Sequence, residues 1–332
     1  MPASALKVVQ ISSAEGTWGS TQAATIKLHG ITDASLKSVD MVEIVPSAGM
    51  YGPGGAANTQ AQSGEGRTSL TMTYEEAPRI LNAFFTAIGQ TTSTGAPYNY
   101  PYTAPVGSSQ AVATYTMEYG TSGNAYRAPG SVGKHLNITG EAGGFWAGSV
   151  DWISKQIVAA TSGLSSGPSD RTVTPIRMAD TTLYVDAFST ATMGGSAVSA
   201  TLIAFALDIE TNRHLKQFAG SLYPASWGEG KWDGTLAITA EFNASAKAWV
   251  DEALGTTGAT VSRQVRIGAT EGSSASVKTF NLDFGGIKTG GETLFTDRDG
   301  NMTVALTFAG RYTTALSNWF LANVQNGSSS TT

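Results

Sequence analysis

The spacing in this chain that comes nearest to nucleophilic chemistry is Gly163, Ser165 and Gly167, a G-x-S-x-G pattern that in hydrolases sets a serine on a sharp strand-to-helix turn. Such a turn needs a helix after it. Here Pro168, Ser169 and Asp170 follow within a Ser/Gly/Pro-rich segment, so the match reads as chance. Gly52, Gly54 and Ala57 outline a dinucleotide-binding turn, but no helix follows to present its N-terminus to a pyrophosphate. Asp297, Asp299 and Asn301 begin like a calcium loop without the later glutamate, and Asp299-Gly300 reads as a tight hairpin turn. His29, His135 and His214 show no HxH or HxxxH spacing and read as surface or lining residues rather than ligands. The residues thus call for no enzyme, cofactor or metal, although carboxylates paired only by folding would escape this reading.

Composition narrows the classes further. The chain has 332 residues, with only 14% charged side chains, 39 glycines and a net charge of −5. About 25% charge is ordinary for a soluble protein, so this is a neutral, polar surface of the kind that copies of the same subunit cover. No basic field exists to neutralise phosphates, which argues against direct nucleic-acid binding. With 0 cysteines, disulfides and thiolate chemistry are excluded. The N-terminal residues lack a basic stretch followed by an apolar run, and no apolar run approaches the length of a membrane span. The expected setting is a cytoplasm, without membrane insertion.

The elements that would position any site occur twice. Residues 69–89 lie over 235–255 without a gap, pairing Leu70 with Leu236, Met72 with Ile238, Phe84 with Val250 and Gly89 with Gly255. This pattern suits a strand running into an amphipathic helix, and weaker matches upstream keep the same order, so duplication is expected. The first helix would begin at Glu75, Glu76 and Pro78, carry Ile80, Leu81, Phe84, Phe85 and Ile88 on one face, and stop at Gly89. The second would be capped by Asn243 and stop at Gly255. Alternation is clearest in Phe280, Leu282 and Phe284 and in Met302, Val304, Leu306 and Phe308. Leu316, Trp319, Phe320 and Val324 have helical spacing and predict a C-terminal helix or arm.

The fold class expected is therefore mainly β, as two tandem, similar barrel or sandwich modules each flanked by one helix. Residues 1–168 would form the first, with long loops at 49–67 and 91–110; residues 169–332 would form the second, and 159–170 a linker. The second loop holds Pro97, Tyr98, Tyr100 and Tyr102, large contact residues of low entropy cost that could form a docking surface.

The strand Tyr115-Thr116-Met117-Glu118-Tyr119, leading through Gly130 into Leu136-Asn137-Ile138-Thr139-Gly140, resembles a strand, glycine-turn, strand pattern of tail tube proteins of long-tailed phages. The resemblance covers nearly the whole chain. It implies a structural virion protein, assembled in the host bacterial cytoplasm, whose duplicated chains close as trimers into pseudo-sixfold rings. The rings stack into a hollow tube around a tape measure protein, between tail terminator and tail tip proteins, and later pass the genome. Pro97, Tyr98, Tyr100 and Tyr102 would then stack rings. A bore that lets DNA slide should be acidic or neutral, and Glu43, Glu118, Asp151, Asp208 and Asp283 are its candidates. The rival reading is a β-sandwich carbohydrate- or receptor-binding protein using its Tyr and Trp residues as a sugar platform; a third is a glycoside hydrolase.

Overall fold

Strand pairing follows one scheme twice. The computed structural model describes residues 8–45, 56–86, 97–190, 193–198, 202–254, 261–273, 276–289, 296–298 and 300–327. The first half supplies β1 (Val8–Ser12), β2 (Ala24–Lys27), β3 (Ile31–Val45), β4 (Ala56–Thr71), α1 (Ala77–Leu81), β5 (Tyr98–Thr103), β6 (Tyr115–Gly120), β7 (Ala125–Glu141), β8 (Ala147–Ser154) and β9 (Val158–Ala160). The second supplies β10 (Thr181–Ala187), β11 (Ala197–Val198), β12 (Leu202–Glu210), β13 (His214–Lys216), β14 (Ser226–Gly228), β15 (Asp233–Glu241) and α2 (Ala244–Leu254). It continues with β16 (Ser262–Glu271), β17 (Lys278–Thr289), β18 (Thr296–Arg298), β19 (Asn301–Gly310) and β20 (Phe320–Asn326).

In the first half β1 pairs with β2 and β6, and the N-terminal part of β7 pairs with β6 and β9; β4 pairs with β3 and β8, and β8 with the C-terminal part of β7. In the second half β10 pairs with β11 and β16, and β17 with β16 and β20; β15 pairs with β12 and β19, and β19 with the C-terminal part of β17. All these pairs are antiparallel, and one long strand in each half belongs to both groups. The helices fall at the same point of the scheme, α1 after β4 and α2 after β15.

Two sheet junctions join the halves. β7 pairs with β12 from His135↔Glu210 to Glu141↔Ala204, and β5 crosses to pair with β20 from Thr103↔Leu321 to Tyr98↔Asn326. The buried side chains form one core across the junction. Trp146 packs edge-on against Phe205 at 4.8 Å between ring centroids and lies 5.5 Å from Phe280, while Phe85 stacks on Phe320 at 5.6 Å and touches Trp232 at 5.4 Å. A Cβ on Gly140 would stand 2.4 Å from the Phe205 ring, so the junction requires glycine there.

Several expectations are corrected. The loop expected over 49–67 is, from Ala56 onward, the strand β4, pinned along its length by β3. The loop expected over 91–110 contains β5, in which Tyr100 and Tyr102 are core residues; its prolyl Pro101 is tolerated because the strand needs donors on one side only. The C-terminal helix expected over 313–324 is a turn followed by β20, whose Phe320, Ala322 and Val324 are buried at period two. The first helix is only Ala77–Leu81 and is buried on every side, so it needs no amphipathic stripe. Ile88, Gly89 and Gly255 lie outside the described residues. The second helix begins as expected, with Asn243 Oδ1 accepting from the backbone N–H groups of Ser245 and Ala246 at 3.0 and 3.1 Å.

The segment read as a linker is a strap pinned to the first half. The buried Glu118 carboxylate accepts from the Ser165 N–H and Oγ, both at 2.8 Å, and from Arg127 at 2.7 Å. The buried Glu76 accepts from Arg171 at 2.6 Å, with His29 Nδ1 at 3.2 Å from the same oxygen. Glu76 is the N-cap of α1, as expected, but its carboxylate is turned to Arg171 rather than to the helix N–H groups, and Glu118 is buried rather than on a surface.

Candidate functional site

Period-two alternation divides the joined sheet into a core face and a solvent face. Leu207 and Ile209 of β12, Leu236 and Ile238 of β15, and Leu136 and Ile138 of β7 point into the core, so the residues between them point to the other side. Strand register lines these outward residues up in rows that run across β3, β4, β8, β7, β12, β15 and β19. One row reads Ser35, Arg67, Asp151, His135, Glu210 and Asp233. The next reads Asp33, Ser69, Ser149, Asn137, Asp208, Thr235 and Ala309. A third, Thr71, Ala147, Thr139, Ala206, Ala237 and Thr307, carries no charge at all. The surface is one continuous floor of small polar side chains with a mostly acidic band.

At the junction His135 stands between two carboxylates, its Nδ1 3.2 Å from Asp151 Oδ2 and its Nε2 2.8 Å from Asp208 Oδ2. Asn137 donates to the same Asp208 oxygen at 3.3 Å. Arg67 lies 3.8 Å from Asp151 and Lys37 3.8 Å from Glu65, and Lys134 lines the same hollow; Asp33, Asp208, Glu210 and Asp233 outnumber it and set the sign of the face.

Asp151 and Asp208 stand on this face. Glu118 and Asp283 do not: Glu118 is sealed under the strap, and Asp283 is buried in a bidentate pair with Arg266 at 2.6 and 2.7 Å, which holds that guanidinium above its ordinary pKa. The side chain of Glu43 lies outside the described residues. Tyr100 and Tyr102 are buried and Tyr98 is half-buried against the core, so these side chains are not presented at a surface as the expected ring-stacking loop requires. Sequence reading missed Asp33, Glu210, Asp233 and the bridging role of His135. The alternation of 202–210 and of 233–241 carries the signal for two of them, once the two strands are known to be neighbours.

The chemical motifs are likewise accounted for. Ser165 is held by Glu118 in an extended strap, and the Asp297 carboxylate accepts from the Gly300 N–H at 3.0 Å as a turn does. Among the described residues no group of three or more His, Asp or Glu side chains is arranged to hold a metal ion, and no helix is long and apolar enough to cross a membrane. Residues 6–323 match the model of a family described as phage tail tube protein. No curated protein matches the chain.

Proposed function

Because the chain belongs to the phage tail tube protein family, and so is a structural protein of the phage tail, we propose that three copies close into a ring whose bore is the acidic, small-residue face. One observation carries this reading. β12 has both edges paired, with β15 and with β7, whereas its counterpart β3 pairs with β4 alone among the described residues. Along 35–45 no described strand takes this edge, and such an edge invites a strand. The C-terminal end of β17, the counterpart of β7, is itself flanked by β16 and β19, so the partner from another copy would be the strand that follows it along β19, β18, which pairs with β19 alone among the described residues. The two halves point the same way along the sheet, so each addition repeats the same rotation, and a head-to-tail contact that repeats in this manner closes into a ring when that rotation divides the full turn. Three duplicated chains give six similar sectors.

In that ring the rows described above run around the bore. Asp33, Asp208, Glu210 and Asp233 repel phosphate, and the Ser, Thr and Ala residues between them offer nothing for a polyanion to hold, so a genome passes without sticking. Stacked rings would enclose a tape measure protein and end at terminator and tip proteins, with assembly in the host cytoplasm before the tail is finished. The role is structural rather than catalytic.

The test is negative-stain microscopy and mass measurement of concentrated protein. The expected particle is a ring of three chains with an open centre. A monodisperse monomer at every concentration, or a closed globular oligomer without a bore, would refute the proposal.

A further inference from the structure

A hollow of about 600 Å³ opens where β15 begins and β19 ends, with the 105–109 segment of the first half on its far wall. That size suits a small ligand. The indole of Trp319 lies against the sheet at this point because two glycines make room for it. A Cβ on Gly234 would stand 2.4 Å from the ring and one on Gly310 2.8 Å, and Phe284 meets the indole at 6.0 Å with the ring planes 89° apart. Tyr312, 46% accessible, stands in the same hollow. Beside the rings are Asp233, Lys231 and Ser108, all exposed, and Glu229. The Glu229 carboxylate is held in place, accepting from Arg213 at 3.0 Å, from Trp232 Nε1 at 2.8 Å and from the Gln110 N–H at 3.1 Å.

The first half shows how much of this the fold itself demands. By the strand register, Arg67 stands where Asp233 does and Trp152 where Tyr312 does, and Trp152 is only 3% accessible. One half buries its ring at this place; the other turns a ring outward beside a carboxylate. We propose that the hollow binds a short oligosaccharide of the β-1,4-linked kind, whose pyranose rings present flat C–H faces. Those faces stack on Tyr312 and Trp319. Sugar hydroxyls donate and accept at once, and the hollow offers acceptors at Asp233 and Glu229, a donor at Lys231 and both at Ser108. A purely apolar ligand would leave these groups desolvated and unpaired, and the two carboxylates disfavour a phosphate. One chain holds the whole site, so the inference goes beyond the ring reading and does not rest on it.

The test is titration of the full chain with chitotriose and with cellotriose, followed by saturation-transfer NMR and calorimetry. Wild type is expected to bind at least one of the two saturably, with transfer strongest at the ring C–H protons. Tyr312→Ala should weaken that binding about tenfold or more, as loss of a stacking surface does. Tyr126→Ala, which removes an equally exposed ring on β7 outside the hollow, should bind as wild type does. Thermal unfolding checks that each variant is folded, and Asp233→Ala, at an exposed strand start, reads the same site if Tyr312→Ala is not. Failure of wild type to bind either sugar at millimolar concentration would overturn the proposal. So would binding that survives unchanged in both Tyr312→Ala and Asp233→Ala, or that falls equally in Tyr126→Ala. None of these outcomes bears on whether three chains close into a ring.

Discussion

Arg213 donates to the carbonyl oxygen of Phe84 at 2.6 Å, so a guanidinium from the second half of the chain holds the turn that follows the helix in the first. The same group donates to Ala83 and Gly133 carbonyls at 3.0 and 2.8 Å, pairs with the buried Glu229 at 3.0 Å, and lies over the rings of Trp227 and Trp232. Burial lowers its pKa to about 10, still well above neutrality, so the charge persists. Arg213→Ala removes the guanidinium from three carbonyls and from Glu229, although Ala83 keeps the Gly133 N–H and Glu229 keeps Trp232 Nε1 and the Gln110 N–H. The expected loss is about 3–5 kcal/mol of unfolding free energy, read as a fall in the urea midpoint. A midpoint within error of wild type would mean that the two sheet junctions and the shared core hold the halves together without it.

Removing the Glu118 carboxylate should release the strap. In Glu118→Ala, Ser165 loses its acceptor and Arg127 is left unpaired, so limited proteolysis is expected to cut within residues 161–172 while wild type resists under the same conditions. Equal resistance would show that Arg171 and Glu76 suffice to hold it.

Alkaline pH should unfold the chain before it ionises the buried phenols. Burial pushes Tyr115 up to about 12 and raises Tyr74, Tyr102 and Tyr119 further, with a hydrogen bond to Thr68 partly offsetting the shift at Tyr119. The unfolded value is about 10. These groups are protonated in both states below that value, so their effect on stability is complete there and is lost as pH rises from about 10 toward the folded values. Denaturant midpoints should fall steeply above pH 10, with tyrosinate absorbance at these residues appearing together with loss of structure. Gradual ionisation of all tyrosines in a still-folded protein would contradict it.

Reversing charge on the solvent face should make the assembly retain DNA. Asp208→Lys with Asp233→Lys places cations in two adjacent rows while leaving the core side of both strands unchanged. Assembled wild type is expected not to retard duplex DNA, and the variant to retard it in a manner that weakens with added salt. Equal behaviour of the two would place the acidic face away from the nucleic acid.

How much of this was legible varies element by element, for physical reasons. The second helix announced itself through Asn243 and an apolar stripe, both local signals. Residues 316–324 satisfied helical spacing and period two at once, and only the distant partners β17 and β5 decide for a strand. Residues 56–67 are rich in Gly, Ala and Gln, with weak strand preference of their own, and take extended form because β3 fixes them. Glu118 was expected along a bore, but β6 lies between β1 and β7 with the side chains of both its faces buried, a condition no single strand reveals. The acidic face was half legible: its charges lie on alternating strands, but the rows exist only through a register set by both halves together.

The crossing of β5 to β20 makes the two kinds of joint in such a ring mechanically unequal. Inside a chain the sectors share a second line of backbone hydrogen bonds and the Arg213 socket. Between chains the matching strand would have to come from the stretch between α2 and β16, which is far shorter than that between α1 and β6. A tube of these rings would therefore have three stiff seams alternating with three compliant ones around its circumference, and bending or breathing strain would concentrate along the compliant lines, giving a threefold elasticity inside a sixfold outline.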